Sequence, residues 1–198
     1  MALLLIITLG VTSAPTKAIL ASALLPGLGE LTMKKKNKAK TFLFAEASIW
    51  FLYGSMTLYA RKYRTASRSY AAHYAHANIN NDSEEYFDLV ERYQSADLYN
   101  EYVLRDAIDL FPGDYEKQQE YLKEHGIFGD DKWCWDSNDE RLHYWYLRRT
   151  MRDALRKVSY ATGLLIANRI ISMIDVAIFT RVEVDCPDGK GIGLKIRF

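Results

Sequence analysis

Apolar residues are concentrated in two long stretches of the chain, with a long polar segment between them. The first stretch, 41–60, carries one charged side chain, Glu46, and ends beside aromatic and basic residues. The second stretch, 158–180, contains Arg169 and Asp175. Each has about the length of roughly 20 residues that a helix needs to cross a bilayer. The pattern therefore predicts two transmembrane helices.

Polar side chains inside these two stretches form a predicted intramembrane polar cluster. A charged side chain at mid-membrane costs roughly 2.5 to 3.5 kcal/mol, so we expect Glu46 and Arg169 to pair between antiparallel helices. At 100° per residue, Asn168, Ser172 and Asp175 share one helix face, which should lie against the first stretch. Two interpretations remain: a polar clamp that fixes the helix pair, which we favour, and a proton or ion relay.

The amino-terminal residues 1–17 resemble a signal peptide. The apolar run Leu3–Val11 precedes the small residues Thr12 and Ala14, which is the pattern of a signal-peptidase site, although a basic region before the run is absent. A membrane anchor is the alternative interpretation. Either one indicates export to the cell envelope.

Residues 18–40 are predicted to form a short apolar helix-turn followed by a basic loop. The turn motif consists of Pro26, Gly27 and Gly29, because proline and glycine favour turn geometry over continued helix. We favour a helix–turn–helix over a re-entrant loop that lines a cavity. Five lysines between Lys34 and Lys40 make this loop strongly basic.

The segment 61–157 is predicted to be helical, acidic and rich in tyrosine. Between Asp82 and Glu140 it holds 18 acidic and five basic residues, a net charge of −13. Aromatic residues at helical spacing predict a packing seam rather than a ligand cage. The residues assigned to this seam are Tyr59, Tyr63, Tyr70, Tyr74, Trp133, Trp135 and Trp145.

Start and stop signals divide the acidic segment and the tail into elements. Helices are predicted over 84–110 and 114–124, and Ser137 to Glu140 forms a capping box for a long final helix that continues into the second apolar stretch. The tail, 181–198, alternates apolar and polar residues around a Pro-Asp-Gly turn, which predicts a β-hairpin. The expected fold is thus an all-α membrane protein, in which two long transmembrane helices continue into a soluble helical hairpin, with a small C-terminal β-hairpin.

Several classes of function lack support in the sequence. The basic residues crowd beside the apolar stretches rather than on a folded domain, so we expect no nucleic-acid partner. His73 and His76 lie close together without further ligands, so no metal site is predicted, and no cofactor motif is visible. No phosphate-binding loop or nucleophile elbow appears, so we expect that the chain is not an enzyme.

Four motifs give the chain a resemblance to a family of uncharacterised bacterial envelope proteins, known as a domain of unknown function. The motifs lie at Leu24–Glu30, Tyr63–Tyr74, Trp133–Arg149 and Ala167–Ala177, and the likeness covers most of the chain after residue 18. The resemblance implies an exported, membrane-associated helical protein. It implies no enzymatic activity.

Two hypotheses for function follow. The first is a non-catalytic structural or scaffold protein of the bacterial envelope, which presents its acidic segment to a protein partner or a second copy of the chain. The second is a subunit of a transport or ion-coupling complex that uses Glu46, Arg169 and Asp175. The lysines between Lys34 and Lys40 favour a cytoplasmic position for that loop. This places the protein in the inner membrane, with the acidic segment in the periplasm.

Overall fold

The computed structural model describes residues 14–184, and the side chains of residues 16–179. This part of the chain is almost entirely helical. In order, the elements are α1 (Ala14–Leu24), α2 (Leu28–Thr32), α3 (Lys36–Tyr74), α4 (Glu84–Arg92), α5 (Ala96–Leu110), α6 (Tyr115–His125), a short 3-10 helix (Gly129–Asp131) and α7 (Asn138–Val184).

The expectation of two long transmembrane helices is wrong. Among the described residues, one helix, Asn138–Phe179, is long and apolar enough to cross a membrane, and α3 does not reach the same apolar character. The reason lies in the stretch 41–60, where Glu46 and several hydroxyl-bearing residues interrupt the apolar side chains. In α7, the residues between positions 158 and 179 are on average more apolar than those of the stretch 41–60.

The predicted C-terminal β-hairpin is also corrected. Helix α7 extends to Val184, so residues 181–184, expected as part of the first strand, are helical. Extending an existing helix adds one hydrogen bond per residue, whereas a two-stranded hairpin is marginal by itself. The remaining tail, 185–198, lies outside the described residues, and the described part contains no β-strand beyond an isolated bridge between Ser95 and Cys134.

The predicted signal peptide falls mostly outside the described residues. Positions 1–13 are not described, and positions 14–17 form the first turn of α1. Pro26 and Gly27 of the turn motif separate α1 from α2, and Gly29 lies within α2, in agreement with the helix–turn–helix interpretation. The predicted basic loop is shorter than expected, because α3 begins at Lys36 and takes up most of the lysines.

The chain divides into two compact units. Unit 1 comprises Met1–Ser55 and Lys157–Phe198, and unit 2 comprises Met56–Arg156. Unit 1 contains α1, α2, the beginning of α3 and the end of α7. Unit 2 contains α4, α5, α6 and the remaining parts of the two long helices.

Glycine is required at two places in unit 1. Gly27 has a φ of +95°, and a Cβ atom there would lie 2.7 Å from the carbonyl oxygen of Ala39. A Cβ atom on Gly29 would lie 2.3 Å from Ser22 Oγ and 2.4 Å from the carbonyl oxygen of Ala18. These distances are too short for any side chain, so the turn motif allows α2 to pack directly on its neighbours.

The core of unit 2 is aromatic. Phe87, Val90, Trp133, Trp135 and Tyr144 are almost completely buried, together with several alanines. The indole N–H groups of both tryptophans donate to backbone carbonyls. Trp135 Nε1 donates to the carbonyl oxygen of Val90 at 2.9 Å, and Trp133 Nε1 donates to that of Tyr93 at 3.2 Å. The buried rings therefore retain hydrogen bonds for their polar atoms.

The helix predicted over 84–110 is broken in the structure. Tyr93 and Ser95 are extended, so α4 ends at Arg92 and α5 begins at Ala96 with Ser95 as its N-cap. The break lets the chain pair with the tryptophan segment, since Trp135 N donates to Gln94 O and Ala96 N donates to Trp133 O, both at 2.9 Å. Those tertiary hydrogen bonds outweigh the local helical pattern.

The long final helix begins at the predicted capping box. Ser137 N donates to Glu140 Oε2 at 3.1 Å, and Glu140 N donates to Ser137 Oγ at 3.2 Å. Both backbone N–H groups of the capping box therefore have a side-chain acceptor. This prediction is confirmed.

Candidate functional site

Glu46 is the centre of the first buried polar cluster in unit 1. It is 3% exposed and accepts hydrogen bonds from three side chains. Asn168 Nδ2 lies 3.0 Å from Oε2, while Arg169 Nη2 and Trp50 Nε1 lie 3.1 and 3.2 Å from Oε1. The expected Glu46–Arg169 pair is thus present. Trp50, one helical turn after Glu46, is a partner that the sequence analysis missed.

Glu30 is the centre of a second cluster, which the sequence analysis also missed. Its carboxylate is 1% exposed and accepts from Ser172 Oγ at 2.8 Å and from Ser22 Oγ at 3.2 Å. Each serine hydroxyl in turn accepts a backbone N–H: Gly27 N lies 3.2 Å from Ser172, and Gly29 N lies 3.1 Å from Ser22. The network therefore satisfies the amides that the turn frees as well as the carboxylate. The sequence signal was the glutamate directly after the Pro-Gly turn.

Asp175 forms the third polar contact of the predicted stripe. Lys38 Nζ lies 2.8 Å from its Oδ1 and 3.1 Å from its Oδ2. Of the stripe residues, Asn168 contacts the stretch 41–60 as expected. Asp175 contacts Lys38, which precedes that stretch, and Ser172 contacts α2 and the turn. Among the described residues, Glu46, Ser172 and Asp175 each have different partners, so they do not form one shared cluster.

Lysines at the start of α3 line an open groove, which we call the lysine groove. It has a volume of about 460 Å³ and is lined by Lys34, Lys35, Lys36, Asn37, Lys38 and Phe179. The ammonium nitrogens of Lys35 and Lys38 lie 3.2 and 3.7 Å from the centre of the Phe179 ring. The basic run is evident from the sequence, whereas Phe179 reaches it from the other end of the chain, which no local pattern indicates.

Unit 1 has polar side chains inside and apolar side chains outside. The buried polar side chains are Ser22, Glu30, Glu46 and Ser172, whereas its buried apolar side chains are mainly small. Only 17% of the most apolar window of α7 is buried. The large apolar side chains that are exposed in unit 1 are Leu24, Leu31, Phe44, Trp50, Phe51, Leu52, Tyr160, Leu164, Ile166, Ile170, Ile171, Ile174 and Ile178.

The predicted aromatic seam is present in part, and it lies within unit 2. Tyr70 lies near Trp135, with ring centres 6.2 Å apart, and also stacks on Tyr74 at 4.4 Å. Tyr59 and Tyr63 form a separate pair, with ring centres 4.7 Å apart.

The tryptophans take different places relative to this seam. Trp133 packs edge-on against Tyr86 at 5.7 Å. Trp145 is partly exposed and faces the guanidinium of Arg149, so it is outside the seam. Its neighbour Tyr144 takes the buried position, 5.2 Å from Trp135.

Burial also changes the acidity of the aromatic hydroxyls in unit 2. Tyr86 is almost completely buried, and its hydroxyl accepts from Asn78 N at 2.9 Å. Loss of water around the phenol raises its pKa above the ordinary value. The neutral form is therefore the one that the folded unit accommodates.

A buried arginine anchors the acidic helix α4. The Arg148 side chain is 3% exposed, and its guanidinium pairs with Asp88 and with Glu91, whose Oε2 lies 2.9 Å from Nε. Arg152 Nη1 pairs with the same Glu91 oxygen at 2.7 Å. Part of the −13 charge is thus neutralised inside unit 2, which the charge count alone does not reveal.

The acidic residues of α5 and α6 are arranged differently. Five exposed side chains on these helices, none of them in an ion pair among the described residues, form what we call the acidic surface: Glu101, Asp106, Asp109, Glu116 and Glu120. Exposed apolar side chains lie among them, including Tyr102, Leu110 and Tyr115. The two helices pack against each other, and Gln118 Nε2 donates to Phe111 O at 2.8 Å.

The buried carboxylates of unit 1 that the structure describes, Glu30 and Glu46, are hydrogen-bonded by donors that hold them in place. Among the described side chains, 16–179, no group of three or more His, Cys, Asp or Glu residues is placed to hold a metal ion. The features that remain open to solvent are the lysine groove, the apolar exterior of unit 1 and the acidic surface.

Comparison with protein-family models, with curated proteins and with solved structures finds no match to this chain. The resemblance to a family of uncharacterised bacterial envelope proteins therefore stays a prediction.

Proposed function

We propose that the chain is a non-catalytic structural protein of the bacterial cell envelope, anchored in a membrane by α7. The observation that carries this proposal is the distribution of side chains in unit 1, where carboxylates are buried and large aliphatic residues face outward. In water this arrangement would leave a large apolar surface exposed. In lipid it satisfies the apolar exterior and keeps the charged groups paired.

The polar clusters support a clamp rather than a conduit. A relay needs groups that exchange protons or ions, whereas Glu46 accepts from Asn168, Arg169 and Trp50, and Asp175 is paired with Lys38. The ion-coupling alternative therefore has less support. It predicts that Glu46→Gln or Asp175→Asn abolishes a transport phenotype at unchanged protein abundance.

The membrane anchor is tested by placing a charge on the outer face of α7. Ile171 is 56% exposed in unit 1, and in lipid Ile171→Asp should cost about 2.5 to 3.5 kcal/mol. Ile108, 46% exposed on α5, supplies the matched control, Ile108→Asp. The measurement is the fraction of protein that resists carbonate extraction from membranes.

We expect Ile171→Asp to lower the membrane-resistant fraction or the protein level, and Ile108→Asp to change neither. Equal tolerance of both substitutions would contradict the anchor. So would a wild-type chain that carbonate releases completely and that stays monodisperse in buffer without detergent.

We further propose that the acidic surface binds a basic protein partner, which can be a second copy of the chain. Charge reversal of Glu101 and Asp106 to lysine should remove the crosslinked partner identified by mass spectrometry in intact cells. The control reverses Asp130 and Asp136, two exposed acidic residues outside α5 and α6. Loss of the crosslink in both double variants would indicate a general charge effect rather than a surface.

The finer placement is the inner membrane with the acidic segment in the periplasm. Cys134 is exposed and forms no disulfide among the described residues, so an impermeant maleimide applied to intact cells should label it in a Cys186→Ser variant. Labelling only after the inner membrane is opened would reverse the proposed orientation.

A further inference from the structure

The lysine groove collects positive charge that the described part of the chain does not neutralise. Of the four lysines that line it, Lys38 alone forms an ion pair among the described residues, with Asp175. The ammonium groups of Lys35 and Lys38 approach the same ring, that of Phe179. Like charges held this close repel each other, so the groove favours an anion.

The backbone adds to the same field. Helix α3 begins at Lys36, and the first amide N–H groups of a helix have no acceptor within it. They carry partial positive charge at the groove, in addition to the lysines. Phosphate oxygens accept hydrogen bonds both from ammonium groups and from free backbone amides.

The position of the groove points to the source of the phosphate. Phe179 lies near the carboxyl-terminal end of the apolar stretch of α7, the helix that can cross a membrane. Exposed apolar side chains continue away from the groove along both helices, including Phe44 on α3 and Ile174 and Ile178 on α7. A phosphate in the groove would thus have apolar surface beside it for acyl chains.

We propose that the lysine groove binds the phosphate of an anionic phospholipid headgroup, with the acyl chains along the exposed apolar residues of α3 and α7. This inference rests on the proposed membrane anchor. The lysines would then serve as a specific headgroup site that fixes the depth of α7 in the bilayer. Phe179 holds Lys35 and Lys38 in position by cation–π contact.

The test uses the full chain purified in a non-ionic detergent. Short-chain phosphatidylglycerol is titrated while thermal unfolding is followed, since a ligand of the folded state raises the melting temperature. Short-chain phosphatidylcholine and inorganic phosphate are titrated in parallel. The variant K34Q/K35Q/K36Q removes three groove lysines and keeps the Lys38–Asp175 pair.

The matched control is K62Q/K123Q/K157Q, which changes the net charge equally at exposed lysines outside the groove. We expect phosphatidylglycerol to stabilise the wild type and the control. Each lysine near an anionic surface contributes a factor of about five, so the groove variant should bind at least about tenfold more weakly. Added salt should reduce the difference.

Three results would overturn the proposal. The groove variant could keep the full response to phosphatidylglycerol, which would place the anion elsewhere. Inorganic phosphate alone could reproduce the response in a lysine-dependent way, which would assign the groove to a soluble phosphate. Phosphatidylcholine could stabilise the protein as much as phosphatidylglycerol does, which would mean that the groove does not recognise the negative charge of the headgroup.

Carbonate extraction of the same proteins separates this proposal from the one it rests on. A wild type that is extracted without detergent contradicts the membrane anchor. A wild type that resists extraction but shows no lysine-dependent response contradicts the headgroup site alone. Far-UV circular dichroism of the groove variant without lipid establishes that it is folded.

Discussion

Replacement of Gly29 by alanine tests the packing that the turn motif makes possible. A Cβ atom at this position would lie 2.3 Å from Ser22 Oγ, 2.4 Å from Ala18 O and 2.8 Å from Val176 Cγ2. Ser22 can rotate, but the Ala18 oxygen belongs to the backbone of α1. Gly29→Ala therefore forces α2 away from α1, and the hydrogen bond from Gly29 N to Ser22 is stretched.

The expected loss follows from these contacts. Overpacking of a well-packed site costs about 1 to 3 kcal/mol, and loss of one buried hydrogen bond costs about 0.5 to 1.5 kcal/mol. Alanine regains about 0.5 to 1 kcal/mol in helix propensity. We expect Gly29→Ala to lower the free energy of unfolding by about 2 kcal/mol, the middle of the summed ranges, which is a factor of roughly 30 in the ratio of folded to unfolded protein.

The chain offers matched controls in the same unit. Nothing lies within 4 Å of a Cβ atom built on Gly54 or on Gly163, both inside helices. Gly54→Ala and Gly163→Ala should therefore be neutral or slightly stabilising. Unfolding of the wild type and all three variants in one detergent is followed by far-UV circular dichroism.

The reasoning is refuted if Gly29→Ala unfolds within about 0.5 kcal/mol of Gly54→Ala, an interval that surface substitutions rarely exceed. Such a result would mean that α2 does not approach α1 as closely as the structure places it. It would also remove the reason for glycine at this position of the turn motif.

Three further substitutions probe the charged and aromatic groups. Arg169→Leu should destabilise unit 1 by about 2 to 3 kcal/mol, less than for a fully buried pair because the arginine is partly exposed. In a double-mutant cycle, the double variant Arg169→Leu/Glu46→Leu should recover part of that loss. Arg148→Met should lower the stability of unit 2 by about 3 kcal/mol in thermal unfolding, because the partly buried Glu91 and Asp88 lose the buried guanidinium between them. The pKa of Tyr86 is raised in the folded protein, so the stability that its neutral phenol contributes is complete below about pH 10, the ordinary tyrosine pKa. That contribution falls as the pH rises towards the folded-state pKa. Tyr86→Phe should therefore weaken the loss of stability at alkaline pH.

Each of these has an outcome that contradicts it. If the Arg169 and Glu46 losses simply add, the two side chains do not interact in the folded protein. Arg149→Met, which affects an arginine that faces Trp145 at the surface, is the control for Arg148→Met, and equal losses would deny the special role of the buried guanidinium. An unchanged pH dependence in Tyr86→Phe would mean that another group controls alkaline unfolding.

Local signals determined much of the helical content. Reciprocal capping by Ser137 and Glu140 and the Pro-Gly turn are short-range features, because their hydrogen bonds join residues a few positions apart. The Glu46–Arg169 pair was also predictable, since a charge in an apolar stretch needs an opposite charge nearby. These conclusions required only spacing along the chain and elementary energetics.

Residues far apart in the sequence decided the rest. The break between α4 and α5 depends on hydrogen bonds to Trp133 and Trp135, which no local pattern around Gln94 reveals. Ser172, which donates to Glu30, and the ring of Phe179 in the lysine groove come from the opposite end of the chain. Sequence alone thus determined where most of the helices form and that Glu46 needs an opposite charge. Only the tertiary structure decided which partners the charged side chains find, because contacts between distant segments depend on how the helices pack.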